Sequence, residues 1–329
     1  MEMTEKKSKT FKGMFLSIKE NRLVSILSPF AFLIFIFVVL SVFTDGKFIT
    51  PMNLKQILDQ ALITGVVATG AAFIFGTGNV NIAMGSCTAL TCTIAAKVYL
   101  ATESIPAMFI TALLFGVLLL VICALLSTVL HVKVMFVTIV MMVLLSSIRD
   151  TILSGTTLLL PYAMTSGLKT AGWNYIIFGS FFLLCVIIFH FTWVGRAIKM
   201  TGSNEVCASQ TGIFSNKCLT IAFVIAGIGV GCGALITLIR TGSVTTSTAT
   251  DLNMNCMLAI VLGGMPVFGG SKSKAYAAIV GAVTVTALSS GLLMLGVSPT
   301  ILQGVRGIIF LLLVLLSNKR PQLLPTREG

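Results

Sequence analysis

The chain has 329 residues, of which 56% are hydrophobic and only 10% charged, and its mean hydropathy is +1.04. An ordinary soluble domain carries roughly 25% charged residues, so this balance excludes a water-soluble fold and selects an integral membrane protein. The formal charge of +12 must then be explained by where the bases sit relative to the membrane.

A bilayer core takes about 20 apolar residues in helical form, and its lack of water forces every backbone polar group to pair internally. The apolar runs here are continuous, not alternating, which predicts helices. In chain order, a basic segment over 1–22 precedes a first uncharged run at 23–43. That run is too long for a signal h-region and no small-residue cleavage site follows, so it reads as a retained helix. The run 60–96 is too long for one crossing and is interrupted at "GTGNVN" (76–81). Further spans are predicted at 105–130, 134–153 and 174–194. The polar island "GRAIKMTGSNEVCASQTGIFSNK" (195–217) comes next, then 218–239, a short segment at 256–268, and 275–305, divided at "GVSP" (296–299). The expected fold is an all-α, polytopic transmembrane helix bundle of about ten helices, some broken or short. Its expected organisation is a basic N-terminus (1–22), a membrane domain (23–316) and a C-terminal tail (317–329).

Lys and Arg mark the cytoplasmic side of such a bundle. The N-terminus, Lys133, the island with Arg196, Lys199 and Lys217, then Lys272, Lys274 and the tail fall on one side. Lys47, Lys55, Lys97, Arg149, Lys169 and Arg240 fall on the other. The excess predicts both termini and the island inside. Bases that flank spans need only anionic lipid as partner, and no nucleic acid.

Reactive residues are sparse. The eight cysteines form no CxxC and no metal-ligand spacing, and read as small buried hydrophobes. His131 and His190 are isolated, and His190 reads as an interfacial ring ahead of a proton relay. "FGGSKSKAY" (268–276) lacks the phosphate-loop spacing, and no acid sits beside a His or Ser to activate it. Asp59 and Asp150 stand near span ends, and Arg306, inside the last span, either pairs with Asp59 or snorkels outward. The interrupted segments 75–86 and 262–273 are more informative, because broken helices in transporters line midplane cavities. Their glycine clusters resemble each other loosely. Asn79, Asn81 and Ser86, with Gly263 and Gly264, are the candidate pathway residues; the polar three either hydrogen-bond a solute or satisfy freed backbone groups.

Four stretches carry a resemblance: "GSNEVCASQTGI" (202–213), "VLGGMPVFGGSKS" (261–273), "LLMLGVSPTILQGVRGIIFLLLVLL" (292–316) and "VNIAMGS" (80–86). Together they resemble the permease subunit of bacterial ABC importers of the ribose and simple-sugar type, over nearly the whole chain from about residue 20. The resemblance implies an inner-membrane permease for a small polar solute, most simply a sugar, working by alternating access. It implies a second permease copy or homologue, separate ATPase subunits that bind ATP and Mg, and an extracytoplasmic solute-binding protein, with no cofactor on this chain. The island then becomes the coupling helix on which an ATPase docks, carrying Gly202, Asn204, Glu205, Ala208 and Gly212. Local chemistry agrees: Ser203 or Asn204 can cap a short helix, Glu205 suits its dipole, and Gly212 can close it with Ile213 beyond. Two departures bear on the solute. Asn81-Ile82-Ala83 stands where the family has Asp-Leu-Ser, and Met265-Pro266 where it has Thr-Ser. The alternatives are a same-family permease for a nucleoside, an autoinducer or a branched-chain amino acid and, more distantly, an ion-coupled secondary transporter.

Overall fold

The computed structural model describes residues 22–266, 269–271 and 273–317; nearly all of the basic N-terminus and the tail, and Lys272 within the 262–273 segment, lie outside them. The helices are α1 (Arg22–Phe43), α2 (Pro51–Gly76), α3 (Met84–Thr102), α4 (Ile105–Val129), α5 (Val134–Leu153), α6 (Tyr162–Thr170), α7 (Trp173–Phe191), α8 (Trp193–Ser203), α9 (Glu205–Gln210), α10 (Ser215–Thr241), α11 (Leu252–Leu262), α12 (Ala277–Met294) and α13 (Pro299–Ser317). Two dipeptides, β1 (Leu158–Leu159) and β2 (Ser243–Val244), pair antiparallel and tie the α5–α6 connection to the α10–α11 connection.

Among the described residues, seven helices (α2, α3, α4, α5, α7, α10 and α12) are long and apolar enough to cross a membrane. Helices α1, α11 and α13 carry the shorter apolar stretches Pro29–Phe43, Leu252–Leu262 and Pro299–Val314. These ten correspond one for one to the expected spans, and both long runs divide where the glycines predicted. Gly78 and Gly296 take positive φ at the two breaks, a region that side chains with a Cβ rarely enter. Proline at the first helical positions starts α2 and α4. Several boundaries differ from the sequence reading, among them the short segment expected at 256–268, which is the helix Leu252–Leu262. Helix α2 begins at Pro51 instead of near 60, because its polar first turns continue beyond the apolar run. The 195–217 island forms two helices, not one, and α6 was not anticipated.

Helices α2, α3 and α10 form the centre, with 72–78% of their apolar windows buried, against 28–33% for α4, α5 and α7. The peripheral helices turn residues such as Leu114, Val140 and Leu183 outward, as expected where lipid is the solvent. Lipid supplies no hydrophobic drive between helices, so close packing of small residues holds them together. The run "GIGVGCG" in α10 shows how. A Cβ at Gly116 of α4 would lie 2.7 Å from the Gly227 carbonyl, and one at Gly231 equally close to the Ala112 carbonyl. On the opposite face of α10, Gly229 and Gly233 meet Gly70 and Val67 of α2.

That packing sets the depth of the first break. Gly233 of α10 faces Thr88 of α3, so Met84, one turn earlier, lies about 6 Å further along, near the midpoint of the 27-residue α10. Helix α3 therefore starts inside the bundle, and the irregular segment 77–83 buries Thr77, Asn81 and Ala83 while its other residues stay partly exposed.

Candidate functional site: a docking helix joined to broken segments

Helix α9 is short but well terminated. Asn204 Oδ1 accepts hydrogen bonds from the backbone N–H groups of Val206 (3.0 Å) and Cys207 (3.2 Å), so Asn204, not Ser203, is the cap. Glu205 occupies the first turn, where a carboxylate meets the positive helix end. At the other end Gly212 has φ +80°, and the Ile213 N–H reaches back to the Ala208 carbonyl at 3.1 Å, the wrap that buries an apolar residue beyond a glycine stop. Ala208 is 1% exposed and packs with Ala197, Ile213 and Cys218. It therefore holds α9 to the body and presents nothing outward. Glu205, Val206, Cys207, Ser209 and Gln210 are exposed.

Helix α8 underlies this knob. Its inner face is Gly195, Ala197, Ile198 and Thr201, while Arg196 and Met200 are exposed. The Lys199 ammonium stands 4.6 Å from the Phe189 ring centroid, and partial burial pulls its pKa below the usual lysine range. His190 lies half-buried with its ring stacked on Tyr276, centroids 6.1 Å apart, and Nδ1 3.3 Å from the Val186 carbonyl.

Gly202 connects the knob to the broken segments. A Cβ there would overlap the Gly76 carbonyl at the end of α2 and approach Gly270 N. The Gly270 N–H donates to that same Gly76 carbonyl at 3.3 Å, and the Ser271 N–H donates to Ser203 Oγ at 2.9 Å. The two glycine-rich segments singled out from the sequence thus meet each other and α8 at one end of the bundle.

The candidate pathway residues separate into different roles. Asn81, 1% exposed, accepts from the Ala83 N–H at 2.8 Å through Oδ1, while its Nδ2 has no partner among the described residues. Asn79 Nδ2 donates to Thr77 Oγ1 at 3.2 Å. Asn81 Oδ1 thus satisfies a backbone N–H at the break, and Asn79 bonds the neighbouring Thr77 side chain. Ser86 Oγ lies 3.1 Å from Ser146 Oγ of α5 and borders a groove of about 430 Å³ with Ser147, Arg149, Asp150 and Asn253. Gly263 and Gly264 line neither that groove nor the α2–α3 break. A Cβ at Gly263 would overlap the Ala277 carbonyl, and Gly264 (φ +84°) faces Pro29 of α1. Their smallness lets α11 turn tightly against its neighbours.

Two charged residues that the sequence left ambiguous find definite partners. Arg306, 3% exposed, donates through Nη1 to Asp251 Oδ2 and through Nη2 to Ser289 Oγ, each at 3.0 Å. Asp59, named as its possible partner, instead accepts from the Tyr175 hydroxyl at 2.9 Å. Asp251 also accepts from Gln303 at 2.9 Å. Sequence reasoning missed Asp251 and Asn253, whose Oδ1 takes the Gly85 N–H at the start of α3. The available signal was the hydroxyl-rich run "TGSVTTSTATD" (241–251), unusual in an apolar chain. The eight cysteines are all free, and only Cys207 is exposed. Among the described residues no cluster of His, Cys, Asp or Glu is placed to hold a metal ion.

The family described as "Branched-chain amino acid transport system / permease component" matches residues 53–314. The chain belongs to that permease family. This permease is 27% identical over 286 residues to the ribose import permease protein of Escherichia coli strain K12, covering 83% of this chain and 88% of that one. It is 26% identical to the ribose import permease protein of Bacillus subtilis strain 168, over 89% and 93% of the two chains. It is also 25% identical to the autoinducer 2 import system permease protein of Escherichia coli O9:H4, over 85% and 83%. No solved structure matches it. As a permease with ten apolar helices among its described residues, it is a multi-pass membrane protein.

Proposed function

We propose that this permease is the membrane-spanning subunit of an ABC importer for a small polyhydroxylated solute of the sugar type, with α9 as the docking knob for a separate ATPase. The observation that carries this reading is the continuity of contact from exposed Glu205 and Val206, through Gly202, to the Gly76 carbonyl where α2 breaks. A displacement of α8 and α9 cannot leave that break unmoved, because no side chain intervenes to absorb it. ATP and Mg belong to the ATPase. Closure of an ATPase dimer would draw two copies of α9, one from each permease subunit, and change which side of the pathway between the subunits is open. The groove beside Ser86 and Ser146 supplies hydroxyls toward that pathway. A solute-binding protein would deliver cargo on the side away from α9, and the excess of Lys and Arg around α8 and α9 favours the cytoplasm for the docking side.

The test is gentle purification from the native membrane with quantification of bound chains. The expected result is an ABC ATPase in near-equal amount to the permease. Glu205→Arg should remove the ATPase and abolish uptake while the protein remains inserted and monodisperse. Normal uptake by that variant would sink the docking assignment.

A further inference from the structure

The end of the bundle away from α9 holds a second cavity, of about 360 Å³, between early α2, the last turns of α10 and the loop leading into α11. That volume falls at the low end of the roughly 300–1,000 Å³ typical of small-molecule sites. Its walls include Gln60, Thr64, Thr237, Thr245, Thr248 and Asn255, a concentration of hydroxyls and amides.

Two groups in this cavity are incomplete. Asn255 is 5% exposed, and its Oδ1 receives no hydrogen bond among the described residues. Arg240, half-buried in the wall, makes no direct ion pair or side-chain hydrogen bond among the described residues, where the ion pairs join Arg149 to Asp150 and Arg306 to Asp251, and only the field of the nearby Asp59 carboxylate balances it. A buried acceptor and a partly desolvated guanidinium left open are costly unless water or a solute completes them. The charges around the cavity also cancel. Arg240 and Arg306 stand against Asp59 and Asp251, and both carboxylates are already engaged, by Tyr175 and by Arg306 with Gln303. The site therefore draws no net charge, but it offers donors and acceptors on several walls. A molecule with many hydroxyls answers both needs: its O–H groups donate to Asn255 and its oxygens accept from Arg240.

We propose that this cavity is a solute-holding site within a single copy of the chain, built for a neutral polyol of about pentose size, with Arg240 and Asn255 as its specificity-determining residues. This deepens the sugar-importer reading and rests on it for the choice of solute class. The site is distinct from the groove beside Ser86. Residues 249 and 250 border both spaces, so the loop 245–251 is the wall between them, and Ala249 holds φ +60° within it, a strained conformation for a residue with a Cβ.

Equilibrium binding of radiolabelled D-ribose and D-arabinitol to the full-length permease in lipid nanodiscs tests the proposal, with D-gluconate as the charged comparison. At least one neutral probe should bind saturably. Asn255→Leu, close in shape, and Arg240→Gln should each weaken it about tenfold, the effect of one directed hydrogen bond. Gln60→Leu at the half-exposed mouth is a milder variant should either fold poorly. No saturable binding of either neutral probe, binding unchanged in all three variants, loss only in Ser146→Ala, or tighter binding of gluconate would each overturn the proposal. Because binding is read on the permease alone, its failure is separable from that of the importer reading, which falls if no ATPase co-purifies.

Discussion

At the α9 end, Gly202, Gly76 and Gly270 bring three segments together backbone to backbone, whereas at the opposite end Asp251, Gln303, Arg306 and Ser289 join three segments through side chains. The first junction is almost entirely backbone, with Ser203 Oγ as a side-chain link to Ser271, so movement of one segment is passed closely to the next. The second can exchange partners with water or solute, since Asp251 is about half exposed while Arg306 is buried. A transporter needs both properties, and here they are at opposite ends of the same bundle. Stiffness comes from glycine, and adaptability from hydroxyls, amides and paired charges.

The comparison is tested most severely at Gly202. Gly202→Ala puts a methyl group into the Gly76 carbonyl, and overpacking of this kind costs about 3 kcal/mol, near the upper end of its usual range. Uptake into membrane vesicles should be lost and the melting temperature in detergent lowered; a variant with wild-type values in both would show that the junction is not stiff. At the other end, Asp251→Ala strands the buried Arg306 guanidinium. Removing one partner of a buried pair costs about 3–5 kcal/mol, and the half-exposure of Asp251 brings the expected loss to about 2 kcal/mol. The double variant Asp251→Ala/Arg306→Leu should recover part of it. Equal melting temperatures for the single and double variants would remove the ion pair from the account. The smallest effect is expected at the cap of α9. Asn204→Ala should cost about 1 kcal/mol of local helix stability, read as an approximately fivefold weaker affinity for the ATPase with unchanged global melting. A larger loss would mean that Asn204 touches the partner directly.

Much of the local geometry was legible before the structure. The cap at Ser203 or Asn204, which the structure resolves to Asn204, the stop at Gly212 and Ile213 beyond it depend on residues within a few positions of one another, so their chemistry is written in a short window of sequence. The breaks at 76–81 and 296–299 were legible for the same reason. The inward direction of Ala208 was not, because it depends on Ala197 and Cys218 across the fold. The packing role of Gly263 and Gly264 was not legible either, because a glycine needed for close packing looks, in sequence, the same as one needed beside a solute. Asp251 was overlooked because its importance comes from Arg306, 55 residues away.

The sequence by itself determined that the chain is a helical membrane bundle, where its helices break, and that a capped polar helix interrupts the island. Each of these follows from hydrophobicity over a span or from backbone chemistry within a turn. Only the tertiary structure decided that both glycine-rich segments meet α8 at one carbonyl, that Arg306 belongs with Asp251, and that Arg240 and Asn255 face one polar cavity. Those facts depend on helix depth and rotation, which in a bundle are set by the summed packing of small residues on several neighbours and are not encoded at any single position.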